Sequence, residues 1–140
     1  MIGAVHTILG AALGTFTKSK PRAFLSGVIS HAIADALPHN DYDALSEISL
    51  IAAALGWVAI RKGTDSPEFW GAIGGITPDV EHALSLAGLI KSDAKIFPTH
   101  MGDGKYHGRK TDHRWPQLIA IALSAFILVS ASKNKESKRK

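Results

Sequence analysis

Cysteine is absent from the 140 residues, which excludes disulfides, thiolate zinc sites and cysteine nucleophiles together. Any metal ion would therefore be held by imidazole and carboxylate. Charge is scarce as well, at 20% of residues against 46% hydrophobic. A chain of this length supports one ordinary domain. Aromatics are only 7%, and Tyr106 is the one aromatic among the basic residues that precede Trp115. Base stacking has little to work with, so nucleic acid is an unlikely partner. Apolar runs with period-two alternation are lacking too, which argues against strands.

What is present points to helices. Thirteen glycines are spread through Ala- and Leu-rich stretches, as close helix packing in lipid or in a tight bundle requires. The expected fold is all-α, a compact bundle of about five helices, membrane-embedded or membrane-associated. Helices are predicted over about residues 2–16, 22–37 and 46–60, with the third ending at the cationic turn and glycine of Arg61-Lys62-Gly63. The fourth opens at Ser66-Pro67-Glu68. Gly74, Gly75 and the renewed opening signature Thr77-Pro78-Asp79 predict a break near Gly75 and a new helix to about Leu89. A histidine-rich loop at 91–114 and a last helix at 115–132 complete the set. Residues 1–132 form the predicted domain, and 133–140 a basic disordered tail.

Trp115 to Ser132 carries no charge over 18 residues, the minimum for a bilayer core of about 30 Å. The basic residues just beyond it read as a cytoplasmic flank, which places the protein in a membrane. The first apolar segment has its basic residues, Lys18, Lys20 and Arg22, after it rather than before it, and so reads as a retained helix.

Against this apolar background the histidines and acids stand out. His31 and Asp35 are four apart and share a helix face, and His39 follows four residues on. Asp79 and His82 share another face, with Glu81 beside them. A simple His–Asp hydrogen bond would account for the first pair, and a favourable charge at a helix N-terminus for the second. An up-and-down bundle, however, brings His6, Asp35 with His39, and Asp79 with His82 to one end, where the loop carrying His100 would cover them.

Three segments resemble the membrane-bound metal-dependent hydrolases: Val5-His6-Thr7-Ile8-Leu9-Gly10, Gly27-Val28-Ile29-Ser30-His31 through Asp35, and Gly75-Ile76-Thr77-Pro78-Asp79-Val80-Glu81-His82. His31, Asp35 and His39 are more distantly similar to the helical ligands of zinc-dependent phospholipase C-like proteins. The second and third segments occur in the reverse of that family's usual order. The resemblance implies a metal-dependent hydrolase, with zinc the expected metal and His6, His31, Asp35, Asp79 and His82 as ligands. His39 and His100 are further candidate ligands, and Glu81 is the expected general base. The implied substrate is a phosphoester or lipid-like ester near the membrane, with membrane lipid as a partner, while the oligomeric state stays open. The alternative is a non-catalytic membrane protein in which the same residues form a structural metal site or a polar core.

Overall fold

In a computed structural model, residues 1–98, 108 and 110–137 are described, with side chains as far as residue 131. The chain is all-helical: α1 Gly3–Gly14, α2 Lys20–Asp35, α3 Ala44–Lys62, α4 Pro67–Leu86 and α5 Trp115–Ser137. Among the described residues the only β-type pairing is an isolated parallel bridge between His39 and Lys110.

Local chemistry sets most of the boundaries. Ser19 precedes α2 with Pro21 in the first turn, and α2 stops three residues before Pro38, which disfavours helical geometry in its predecessor. Asp43 caps α3 by accepting from the Ser46 amide at 3.0 Å, and Gly63 ends that helix at a positive φ of 84°. The Ser46 hydroxyl and amide together hold the exposed Asp43 carboxyl below the usual range. Ser66 caps α4 through the Phe69 amide at 3.1 Å, and Pro67 follows at the first turn.

The expected break near Gly75 does not occur, because α4 runs unbroken from Pro67 through Pro78 to Leu86. An interior proline removes one backbone hydrogen bond and crowds the carbonyl four residues earlier. Here that carbonyl belongs to Gly74, which has no side chain, and the Thr77 hydroxyl donates to the Ile73 carbonyl at 2.7 Å. The last helix also continues beyond the predicted Ser132, to Ser137.

Helix α1 packs on all four others, and its most extensive contacts, like those of α2, are with α4. Glycine permits this approach. A Cβ on Gly10 would collide with the Gly71 carbonyl, a Cβ on Gly71 with the Gly10 carbonyl, and a Cβ on Gly75 with the carbonyl of His6. The interior is correspondingly fine-grained. Among the described residues six of the twelve buried hydrophobics are alanine, whereas 22 large hydrophobics are exposed, including Leu45 at 75%, Ile60 at 85% and Phe126 at 70%. α3 is long and apolar enough to cross a membrane, and almost none of it is buried.

Candidate metal centre

The glycine contacts that draw α1, α2 and α4 together also put three polar side chains in one place. His6 from α1, His31 from α2 and Asp79 from α4 each offer a ligand atom, and these atoms lie within 4.8 Å of one another. Both imidazoles are fully buried, and their rings stack with centroids 3.9 Å apart. Two nitrogens and one carboxylate oxygen at this spacing could hold a metal ion.

Asp35 is the hinge of the arrangement. Its Oδ1 accepts from His6 Nε2 at 2.9 Å, and its Oδ2 lies 3.2 Å from His31 Nε2. The Met1 ammonium reaches the same carboxylate at 2.6 Å and Asp41 at 3.4 Å. His31 Nε2 is 3.8 Å from Asp79 Oδ1, and its Nδ1 donates to the Gly75 carbonyl at 2.8 Å. Because a carbonyl only accepts, that bond places a hydrogen on Nδ1 and leaves Nε2 to face the carboxylates. His6 shows the opposite tautomer: Nε2 donates to Asp35, and the lone pair sits on Nδ1. That Nδ1 is buried and has no hydrogen-bond partner among the described residues. An orphaned buried nitrogen costs desolvation free energy, which a bound cation would offset.

The two imidazoles titrate in opposite directions. Burial dominates at His6 and pushes it down to about 4, against the hydrogen bond to Asp35. At His31 burial is again the largest single influence and acts downward. The hydrogen bond to Asp35 and the charges of Asp79 and Asp35 together outweigh it, so this imidazole is raised. Of the stacked pair, His31 is therefore the more basic, and it lies between the carboxylates where a cation would also be favoured.

The grouping does not include His39, His82 or Glu81. His39 is buried, with Nδ1 donating to the Leu37 carbonyl at 2.7 Å and Nε2 3.4 Å from Asp41. His82 is not in the group; its Nδ1 meets the Lys95 ammonium at 2.9 Å. Glu81 is not in the group either. Its two oxygens accept from the amides of Ile96 and Phe97 at 2.7 and 3.0 Å and so hold the segment that follows the 3₁₀ turn Ser92–Ala94. His100 lies outside the described residues.

Two supporting residues were not foreseen. Glu47 accepts from the Gly3 and Tyr42 amides, and Gln117 accepts from the Ile2 amide while donating to the Asn40 carbonyl. They fix the start of α1, and with it His6. Glu47 lies in the first turn of α3, and Gln117 is the only amide side chain between Trp115 and Ser132. Neither feature by itself indicates a partner on α1. No protein family, curated protein or solved structure matches this chain, so its functional reading rests on this centre.

Proposed function

We propose that the protein is a metal-dependent hydrolase, with zinc as its ion and a phosphoester or lipid-like ester at the membrane surface as its substrate. The observation that carries the reading is the grouping of buried His6 and His31 with half-buried Asp79. The donor set fits: two imidazoles and a carboxylate are the ligands of many catalytic zinc sites, which keep a further position for water or substrate. When bound, such an ion lowers the pKa of its water to about 7 and polarises the bond under attack.

The chain's own residues have definite parts in this scheme. His31 offers Nε2, because the Gly75 carbonyl holds its other nitrogen. Asp35 accepts from Nε2 of His6 and so stands behind that imidazole, orienting it and raising its basicity, while at His31 it faces the same Nε2 that would bind the ion. The nitrogen His6 leaves without a partner, Nδ1, is the one it would offer. With both Glu81 oxygens engaged by backbone amides, the carboxylates that touch the site are Asp79 and Asp35.

The surface supports a membrane location, with α3 as its embedded helix. α1 has 12 residues and spans only about 18 Å, against a bilayer core of about 30 Å. α1, which carries His6, is therefore too short to cross the membrane on its own.

The second reading, a non-catalytic protein, is favoured by one observation. His6, Asp35, His31 and the Met1 ammonium already form a connected polar core without any ion. Metal analysis of the purified protein, paired with turnover of a chromogenic phosphodiester, separates the two. Stoichiometric zinc with turnover that Asp79→Ala abolishes supports the hydrolase. Stoichiometric zinc without turnover of any phosphoester or carboxylic ester leaves the structural reading.

A further inference from the structure

The end of the bundle away from the metal centre gathers the termini of α1, α2, α3 and α4. A Cβ on Gly14 would meet the Pro67 carbonyl, so the last turn of α1 abuts the first turn of α4. Lys20 pairs with Asp65, which sets the start of α2 beside the loop between α3 and α4. Lys62 donates to the Leu128 carbonyl at 2.6 Å and ties the end of α3 to α5, whose last turns carry Lys133 and Lys135. Along α4, Asp79 lies twelve residues beyond Pro67, about 18 Å away at the rise of an α-helix.

Three cations are exposed at this end, and each adjoins an exposed large hydrophobic. Lys18 is two residues from Phe16, Arg22 and Leu25 are three apart on α2, and Arg61 follows Ile60 at the end of α3. That pairing belongs at the boundary of a bilayer, where the apolar group enters the hydrocarbon and the long basic side chain reaches a phosphate. A nucleic-acid backbone would meet the cations but offer Leu25 and Ile60 no apolar phase. The opposite end of α3 is acidic, with Asp43 as its cap and Glu47 in its first turn.

We propose that this basic end docks on the anionic phosphate head groups of the cytoplasmic leaflet, so that α3 crosses from there and the metal centre is reached from the opposite face. Anionic lipid is concentrated in the cytoplasmic leaflet, and Lys and Arg flanking a short span set its orientation. Among the grouped ligands Asp79 alone is partly exposed, and it is the edge that a solute from the far side would meet. The inference deepens the membrane location proposed above and rests on it. It concerns where the site opens, not what it cleaves.

A chain without cysteine permits a direct test. Thr64→Cys in the loop between α3 and α4 and Ser92→Cys in the 3₁₀ turn beyond α4 place one exposed thiol at each end. The full-length single-cysteine proteins are treated in spheroplasts with a membrane-impermeant maleimide, before and after permeabilisation. Ser92→Cys is expected to label on intact spheroplasts, and Thr64→Cys only once they are permeabilised. Adding Lys18→Glu, Arg22→Glu and Arg61→Glu together should abolish that asymmetry while helical content is unchanged. In phosphatidylcholine vesicles the unaltered protein should prefer spin-labelled phosphatidylglycerol to spin-labelled phosphatidylcholine about fivefold, the equivalent of a single cation at a head group, and the triple variant should show no preference. Both thiols on one side, reversed sidedness, an asymmetry that survives the triple variant, or no lipid preference in the unaltered chain overturns the proposal. Turnover in detergent is blind to sidedness. An active enzyme with both thiols on one face therefore keeps the hydrolase and loses this docking, and the expected sidedness without turnover does the reverse.

Discussion

The inside of the α1, α2 and α4 triad and the outside of α3 and α5 are built on opposite principles. The triad interior is glycine, alanine and a charged polar cluster, whereas the outer helices turn leucine, isoleucine and phenylalanine outward. In water the large side chains would drive folding from within. Here they face away, and backbone approach and polar contacts hold the centre together. At the proposed membrane location the surrounding would be as apolar as the side chains it contacts, and packing and hydrogen bonds would supply the cohesion.

The comparison breaks most sharply at the triad. Gly71→Ala, which drives a methyl into the Gly10 carbonyl, is expected to cost about 3 kcal/mol or more, while Leu118→Ala on the outer face should stay within about 0.5 kcal/mol. Thermal unfolding in one detergent measures both, and equal losses would erase the contrast. On the outer side, Ala53→Arg lies at an exposed position of α3 and leaves the bundle untouched. It should nonetheless cost about 2.5–3.5 kcal/mol of membrane insertion, read as a shift from the membrane to the soluble fraction.

Zinc at a hundredfold excess over its dissociation constant should stabilise the protein by about 2.7 kcal/mol, and chelator should remove that gain. Asp79→Ala should show no zinc-dependent gain. Asp35→Asn retains the three grouped ligands and should weaken zinc binding by about 10–100-fold, as for other carboxylates behind a ligand histidine. Competition with a colorimetric zinc indicator reads that change.

The smallest effect is in pH. Zinc must displace the proton that His31 holds above the ordinary imidazole value, so affinity should fall about tenfold per unit as pH drops below that raised value. His6 stays neutral down to about 4 and adds no slope above it. Without metal the two oppose each other. His31 contributes stability present below its unfolded value of about 6.5 and lost as pH rises through its folded value, while His6 removes stability as pH falls from about 6.5 toward 4. Apo-protein unfolding with a steep single-histidine slope in place of this opposition would mean that the imidazoles do not share Asp35.

Much of this was legible in the residues. Helix class, capping by Ser66 and the stops before Pro38 and at Gly63 follow from short-range rules that act within one turn. The nearness of His6, His31, Asp35 and Asp79 followed from helix periodicity together with an up-and-down topology. What was not legible depends on partners distant in sequence. Pro78 reads as a helix start, and only the bare backbone of Gly74 and the Thr77 hydroxyl show how a helix runs through it. Glu81 and His82 share the helix with Asp79, yet their partners are set by where the 91–97 segment returns, which no local pattern encodes.

The reciprocal seating of Gly10 and Gly71 carries a further consequence for how this chain tolerates change. A saturation library should give a map turned inside out. The outward leucines and isoleucines should exchange freely among bulky aliphatic types, while a few residues with no side chain at all accept nothing in their place. Selection would then act most strictly where there is least chemistry to see.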